Sequence, residues 1–347
     1  MLSLIAVLAA TCTLSAEVTN ISDQIRRDRA IPDFVAGAIV RLVRINSPAL
    51  RAGLRVGDVI QAVDDQLIQN VCGFDRAIAK HTCGEVKLMV RRGVATIEIP
   101  VKLGEPYAPS RLTDQQQCQM NVPAACTRLG VNHKQIDLFS LGCDLGDADG
   151  CYLWGVNAGE NNPRARIAYR QACDFGNSLA CTNLGWMMQF GHGGNIDEDE
   201  AMRQYRKGCD GTGCSPPNNV GCNNLARMLA ARNDYKASTP IFREVCARTA
   251  LNDEDAQAIA RACSLAGTAA LFGQGIPRNI AEAVTLMEKG CAADDSFGCY
   301  NLGTVYERGE EVKADKARAI EYYRKACVHG DGEACQHYAR LTPPAGR

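Results

Sequence analysis

Residues 299–327 read CYNLGTVYERGEEVKADKARAIEYYRKAC, and residues 181–209 read CTNLGWMMQFGHGGNIDEDEAMRQYRKGC. Each stretch begins and ends on cysteine. The second half of each carries small, aromatic and sulfur side chains at intervals of four: Ala319, Tyr323, Cys327 and Ala201, Tyr205, Cys209. That interval returns to one face of a helix, so each second half reads as a helix with a packed stripe. The stripe recurs at Ala165, Tyr169, Cys173 and at Ala283, Met287, Cys291. In the first halves Leu follows Cys by three places and Gly by four, as in Cys126-Leu129-Gly130, Cys181-Leu184-Gly185 and Cys299-Leu302-Gly303. Glycine inside a helix costs about 1 kcal/mol relative to alanine, which predicts a place where two helices approach closely.

The cysteines show where the chain reverses. Five pairs are eight residues apart: Cys118 and Cys126, Cys143 and Cys151, Cys173 and Cys181, Cys291 and Cys299, Cys327 and Cys335. On one continuous helix such residues lie about 12 Å apart, whereas a disulfide needs Cα atoms within about 7 Å. The chain must therefore turn back between them. The intervening DLGDADG, DFGNSLA and VHGDGEA are rich in residues that end one helix and cap the next. By counting, the remaining thiols suggest Cys72 with Cys83, Cys246 with Cys263, and Cys209 with Cys222. Cys214 also lies eight residues before Cys222, so the choice between Cys209 and Cys214 as the free thiol stays open. Cys173 to Cys209, Cys263 to Cys299, Cys291 to Cys327 and Cys299 to Cys335 all span 36 residues, a period that signals stacked helix pairs.

This pattern resembles the Sel-like repeat, a tetratricopeptide-like class, and is most similar to the cysteine-rich secreted members found in bacteria. The resemblance covers residues 115–341 and implies an all-α solenoid of disulfide-linked helix hairpins that binds protein or cell-wall partners.

Upstream the pattern changes to a period of two, in GAIVRLVRI, DVIQAV, EVKLMV and VATIEIPV, with a hairpin turn at Arg92-Gly93. Between the first two strands, NSPALRAGLRVGDVI places Pro48 at the start of a one-turn helix and Gly53 at its end. Ser47, Pro48, Ala49, Ala52, Gly53, Leu54, Gly57, Asp58, Val59 and Ile60 resemble a PDZ domain of the kind found on bacterial exported proteases. The resemblance implies a small β-barrel over 31–103, followed by a linker over 104–114. It also implies peptide binding by strand addition, with Gly37, Ala38, Ile39 and Val40 on the receiving strand and Phe74 and Ile78 on the facing helix. Residues 18–36 contain no G-φ-G-φ loop of the type that holds a ligand's terminal carboxylate.

Residues 2–14 form an apolar run too short to cross a bilayer, and residues 1–16 are expected to be a signal peptide or a lipoprotein-type leader with Cys12 as the lipidation candidate. No other transmembrane span is expected. Eighteen cysteines without a C-x-x-C point to oxidation in an exported protein, whether periplasmic, outer-membrane-associated or secreted. The net charge of −1 disfavours nucleic acid as a partner. G-x-S-x-G, S-x-x-K, H-E-x-x-H and P-loop motifs are absent, so no catalytic residue, metal or cofactor is assigned. His329 and His337 read as surface turn residues, and Asp197, Glu198, Asp199 and Glu200 as the acidic start of a helix. The expected function is that of an exported scaffold binding protein or peptide partners, cell-envelope proteins among them. The alternative is a cysteine-rich-repeat hydrolase acting on β-lactams or peptidoglycan.

Overall fold

The computed structural model describes residues 14, 16–43, 47–81, 83–104, 113–119, 121–211, 215–309 and 312–342. Cys12, Cys214 and most of the expected leader and linker lie outside them. Six strands form an antiparallel sheet: β1 (Ala16–Asn20), β2 (Ala38–Val43), β3 (Val59–Val63), β4 (Gln66–Leu67), β5 (Glu85–Arg92) and β6 (Ala95–Lys102). Their order is β1-β2-β3-β5-β6, with β4 paired to β3. Three short helices accompany them: α1 (Asp23–Arg29), α2 (Pro48–Arg51) and α3 (Val71–Ala79). Alternate residues such as Val86, Leu88 and Val90 point inward and form one apolar core with Val40, Ile60, Phe74 and Leu14.

The sheet begins at Ala16, which pairs with Val43, and Leu14 is 3% exposed in the core. The one-turn helix forms as expected at Pro48, capped by Ser47. Beyond it, the buried Asp58 carboxylate accepts from Arg92 Nε at 2.7 Å and from the Arg55 backbone N–H at 2.8 Å, which pins the turn into β3 against β5.

Among the described residues, every element after the sheet is a helix. The first helices are α4 (Asp114–Gln119), α5 (Pro123–His133), α6 (Ile136–Asp144), α7 (Ala148–Ala158), α8 (Pro163–Asp174), α9 (Ser178–Phe190) and α10 (Glu198–Asp210). They are followed by α11 (Asn219–Ala231), α12 (Tyr235–Ala247), α13 (Asp253–Phe272), α14 (Ile280–Ala292), α15 (Ser296–Arg308), α16 (Lys316–Val328) and α17 (Gly332–Leu341). Among the described residues, those up to Ala201 with Gly211 and Ser215–Pro216 form one compact unit, and Met202–Asp210 with the residues from Pro217 onward form a second.

Seven disulfides each join an even-numbered helix to the next: Cys118–Cys126, Cys143–Cys151, Cys173–Cys181, Cys209–Cys222, Cys246–Cys263, Cys291–Cys299 and Cys327–Cys335. Their Cα separations of 4.3 to 4.7 Å require the antiparallel turn that the gap of eight implied. The choice left open at Cys222 falls to Cys209. Inside these turns a left-handed residue precedes an Asp or Asn cap: Gly146 before Asp147, Gly176 before Asn177 and Gly330 before Asp331. Each capping side chain accepts from a backbone N–H three residues on, satisfying one orphan donor of the new helix.

Candidate protein-binding surfaces

A strand can be added only where backbone groups face outward. β2 offers no such edge. Ala38, Ile39 and Val40 pair with Asn20, Thr19 and Val18 of β1 on one side, and Ala38 and Ile39 pair with Ile60 and Val59 of β3 on the other. Val40 N–H also donates to Asp58 O, and Val40 O accepts from Gly57 N–H, both at 2.8 Å. A Cβ at Gly37 would stand 2.4 Å from Ile60 O, so that backbone is pressed against β3. Gly37, Ala38, Ile39 and Val40 are therefore core elements, which corrects their placement on the receiving strand.

The outermost strand on that side of the sheet is β1, and α3 lies beside it. Phe74 is 5% exposed and belongs chiefly to the core, while Ile78 is half-buried at the core's edge. Both residues lie on α3. Sequence reasoning missed Asn20. It is 6% exposed, and its Oδ1 accepts from the Val71 N–H at the start of α3, at 2.8 Å. Its Nδ2 donates to Gly146 O at 2.9 Å. The available signal was the short alternation Val18-Thr19-Asn20 ahead of the Ser22 cap. With β1 as the edge, a terminal-carboxylate loop would fall just before Ala16, where only Leu14 is described.

In the second unit, a cavity of about 610 Å³ lies along α11, α13 and the turn entering α15. Asn223 and Arg227 stand one helical turn apart on α11, facing Gln257 and Arg261 on α13. Asn223 is 6% exposed; its Nδ2 donates to Ala258 O, while its Oδ1 has no hydrogen-bond partner among the described residues. Arg261 pairs with Asp295 at 2.9 Å, and His329 with Asp294 at 3.2 Å. A buried acceptor beside polar side chains suits an N–H donor such as a polypeptide backbone.

The remaining candidates take structural places. Asp197 caps α10 by accepting from Glu200 N–H at 2.9 Å, and Glu198 and Asp199 lie in that first turn. His337 is stacked on Tyr323 and bonded to Glu307 at 3.2 Å. Among the described residues there is no cluster of three His, Cys, Asp or Glu suited to a metal ion. Cys72 and Cys83 are both disulfide-bonded, and no described cysteine is free.

Comparison with known proteins matches both modules. The PDZ domain family matches residues 14–103, and the Sel1 repeat matches residues 178–212, 260–295 and 296–331. The chain thus carries a PDZ domain followed by Sel1 repeats, both of them non-catalytic interaction modules. Mitochondrial serine protease HTRA2 of Bos taurus is 39% identical over 75 residues, covering 22% of this chain and 16% of that protein. The sel1-like repeat-containing protein R815 of Acanthamoeba polyphaga mimivirus is 38% identical over 58 residues, 17% of this chain and 11% of that one. The chain therefore spans less than a fifth of either relative. The crystal structure of a Sel1 repeat protein from Oxalobacter formigenes superimposes with a TM-score of 0.44 at 19% identity, covering 64% of this chain and 79% of that one. The HtrA3 PDZ domain bound to a phage-derived ligand gives a TM-score of 0.24 at 22% identity, over 27% of this chain and 85% of that one.

Proposed function

We propose that the protein is an exported adaptor that captures the extended C-terminal tail of a partner protein along β1 and holds further partner surface on its helical repeats. The observation carrying this reading is the position of β1 at the margin of the sheet with α3 beside it, the arrangement strand addition uses. Main-chain hydrogen bonds would supply affinity there, and the apolar wall around Ile78 would select the side chain. The seven disulfides support an oxidising compartment, and periplasmic, outer-membrane-associated and secreted placements all satisfy that condition. No described helix is long and apolar enough to cross a membrane.

The test is binding of the full oxidised chain to a library of peptides ending in a free carboxylate, and to the same peptides amidated. Binders with an apolar last residue are expected, with a loss of about tenfold or more on amidation and again in Ile78→Glu. Affinity indifferent to both changes would overturn tail capture by this groove.

A further inference from the structure

We propose that one end of the N-terminal sheet docks on an anionic lipid bilayer, through three projecting apolar side chains ringed by arginine. Val94, at the tip of the β5–β6 hairpin, is 93% exposed, Phe34, ahead of β2, 81%, and Val56, between α2 and β3, 52%. None belongs to the apolar core of this module, although their neighbours Val35 and Leu54 are buried. The three residues come from separate loops, which are joined at this end of the sheet. The Phe34 ring lies 5.9 Å from the Arg91 guanidinium, near the end of β5. Arg92, opposite Ala95 at the hairpin's closing pair, donates to Gly53 O at 2.8 Å and to Asp58 at 2.6 Å, which holds the loop carrying Val56 against the hairpin. Turn chemistry accounts for Gly93, with φ +62°, but asks for no apolar residue at 94.

The charges around these side chains are one-sided. Arg55 precedes Val56, Arg91 lies against Phe34, and Arg29 Nη1 would stand 3.0 Å from a Cβ at Gly57. None of the three forms an ion pair among the described residues. The Arg92 charge is met by the buried Asp58, and Asp33, beside Phe34, offsets one of the three that remain. The whole chain carries a net charge of −1, so this positive excess is local. A side chain as exposed as Val94 touches almost nothing of its own chain, and so projects instead of lining a groove. A protein partner would need a separate pocket for each such side chain. A bilayer yields to all of them at once, since apolar tips enter the acyl boundary while guanidiniums stay among the phosphates. Docking here does not depend on tail capture at β1, and it would hold the adaptor at a lipid surface.

The experiment is flotation of the full oxidised chain with two sets of vesicles, phosphatidylcholine alone and phosphatidylcholine with phosphatidylglycerol added. Binding to the anionic set is expected to exceed binding to the neutral set by about tenfold or more, and to weaken as salt is raised. The double variant Phe34→Ser, Val94→Ser is expected to lose about tenfold or more, because both side chains leave the acyl boundary. Arg55→Gln and Arg91→Gln should each cost about fivefold. Leu67→Ser, at an exposed residue paired with Ala62 farther along β3, is expected to leave binding unchanged. Equal flotation with the two lipids, which an apolar leader alone would give, would overturn lipid docking by this surface. So would unchanged flotation of the double variant, or an equal loss in Leu67→Ser. A chain that floats with neither set leaves the patch to a protein partner, and the proposal falls.

Discussion

A methyl group on Gly303 would stand 2.7 Å from Cδ1 and Cε1 of Tyr323, a ring with no measurable exposure. The glycine that follows Cys299 by four places therefore makes room for the aromatic of the next helix's stripe, and Gly155 does the same for Tyr169. Gly303→Ala gains about 1 kcal/mol of helix propensity but overpacks a close contact, and the overpacking wins because a buried ring cannot swing aside. The variant is expected to lose about 1 to 3 kcal/mol in urea denaturation. Gly332→Ala, with nothing within 4 Å of its Cβ, is expected to stay within about 0.5 kcal/mol of the parent. At this scale the glycine was legible in the sequence and its purpose only partly so. Spacing announces a close approach, but the atoms that approach come from Tyr323 on the following helix. At the equivalent position after Cys222 the chain has Ala226, which shares a core cluster with Phe242 in place of a tyrosine.

At the scale of elements, α17 is held in part by charge, through Arg340 and His337 on Glu307 of α15. Burial opposes ionisation of Glu307, but hydrogen bonds from Arg340, Tyr323 and His337 outweigh it and hold the carboxyl below its ordinary range. A carboxyl with a lowered folded-state value contributes stability above its unfolded value and loses it as pH falls through the folded one. Acidification below the ordinary glutamate range is therefore expected to loosen α17 from α15 and α16. Hydrogen exchange of the amides over 332–341, corrected for intrinsic rates, should show this, and Glu307→Gln should flatten the dependence. Elements also differed in how plainly the sequence declared them. The helix reversals were legible because a disulfide cannot span eight residues of straight helix. The edge strand was not, because a central strand such as β2 is apolar on both sides of its alternation, whereas β1 is five residues long and follows a run that reads as a leader. The strongest β signal consequently drew the groove to the strand least able to form one.

Over the whole molecule, covalent staples stand in for part of the apolar packing of a single large core. In the chain-entropy account, closing a loop of about nine residues contributes roughly 2 to 3 kcal/mol, and slightly more at the wider Cys246–Cys263 span. Reduction in dithiothreitol is expected to lower the unfolding temperature of the helical repeats by far more than any single Cys→Ser exchange, since the bridges act on separate turns. Calorimetry with and without reductant measures this directly, and equal traces would show that packing alone suffices. Fold class and oxidation state were the most legible properties of the chain, because both follow from repeated spacing. The hydrogen bond from Asn20 to the Gly146 carbonyl was not legible, because the two residues lie 126 positions apart and carry no shared pattern.

The bridges have a further consequence for a molecule that meets proteases. Cys327–Cys335 flanks a turn at the surface, where Gly330 is exposed, so a cut between Gly330 and Asp331 leaves both pieces covalently joined through the adjacent sulfurs. A nicked chain would keep its full mass until reduced, and its repeats would stay in register. Such a protein can carry severed peptide bonds through a degradative environment without shedding fragments.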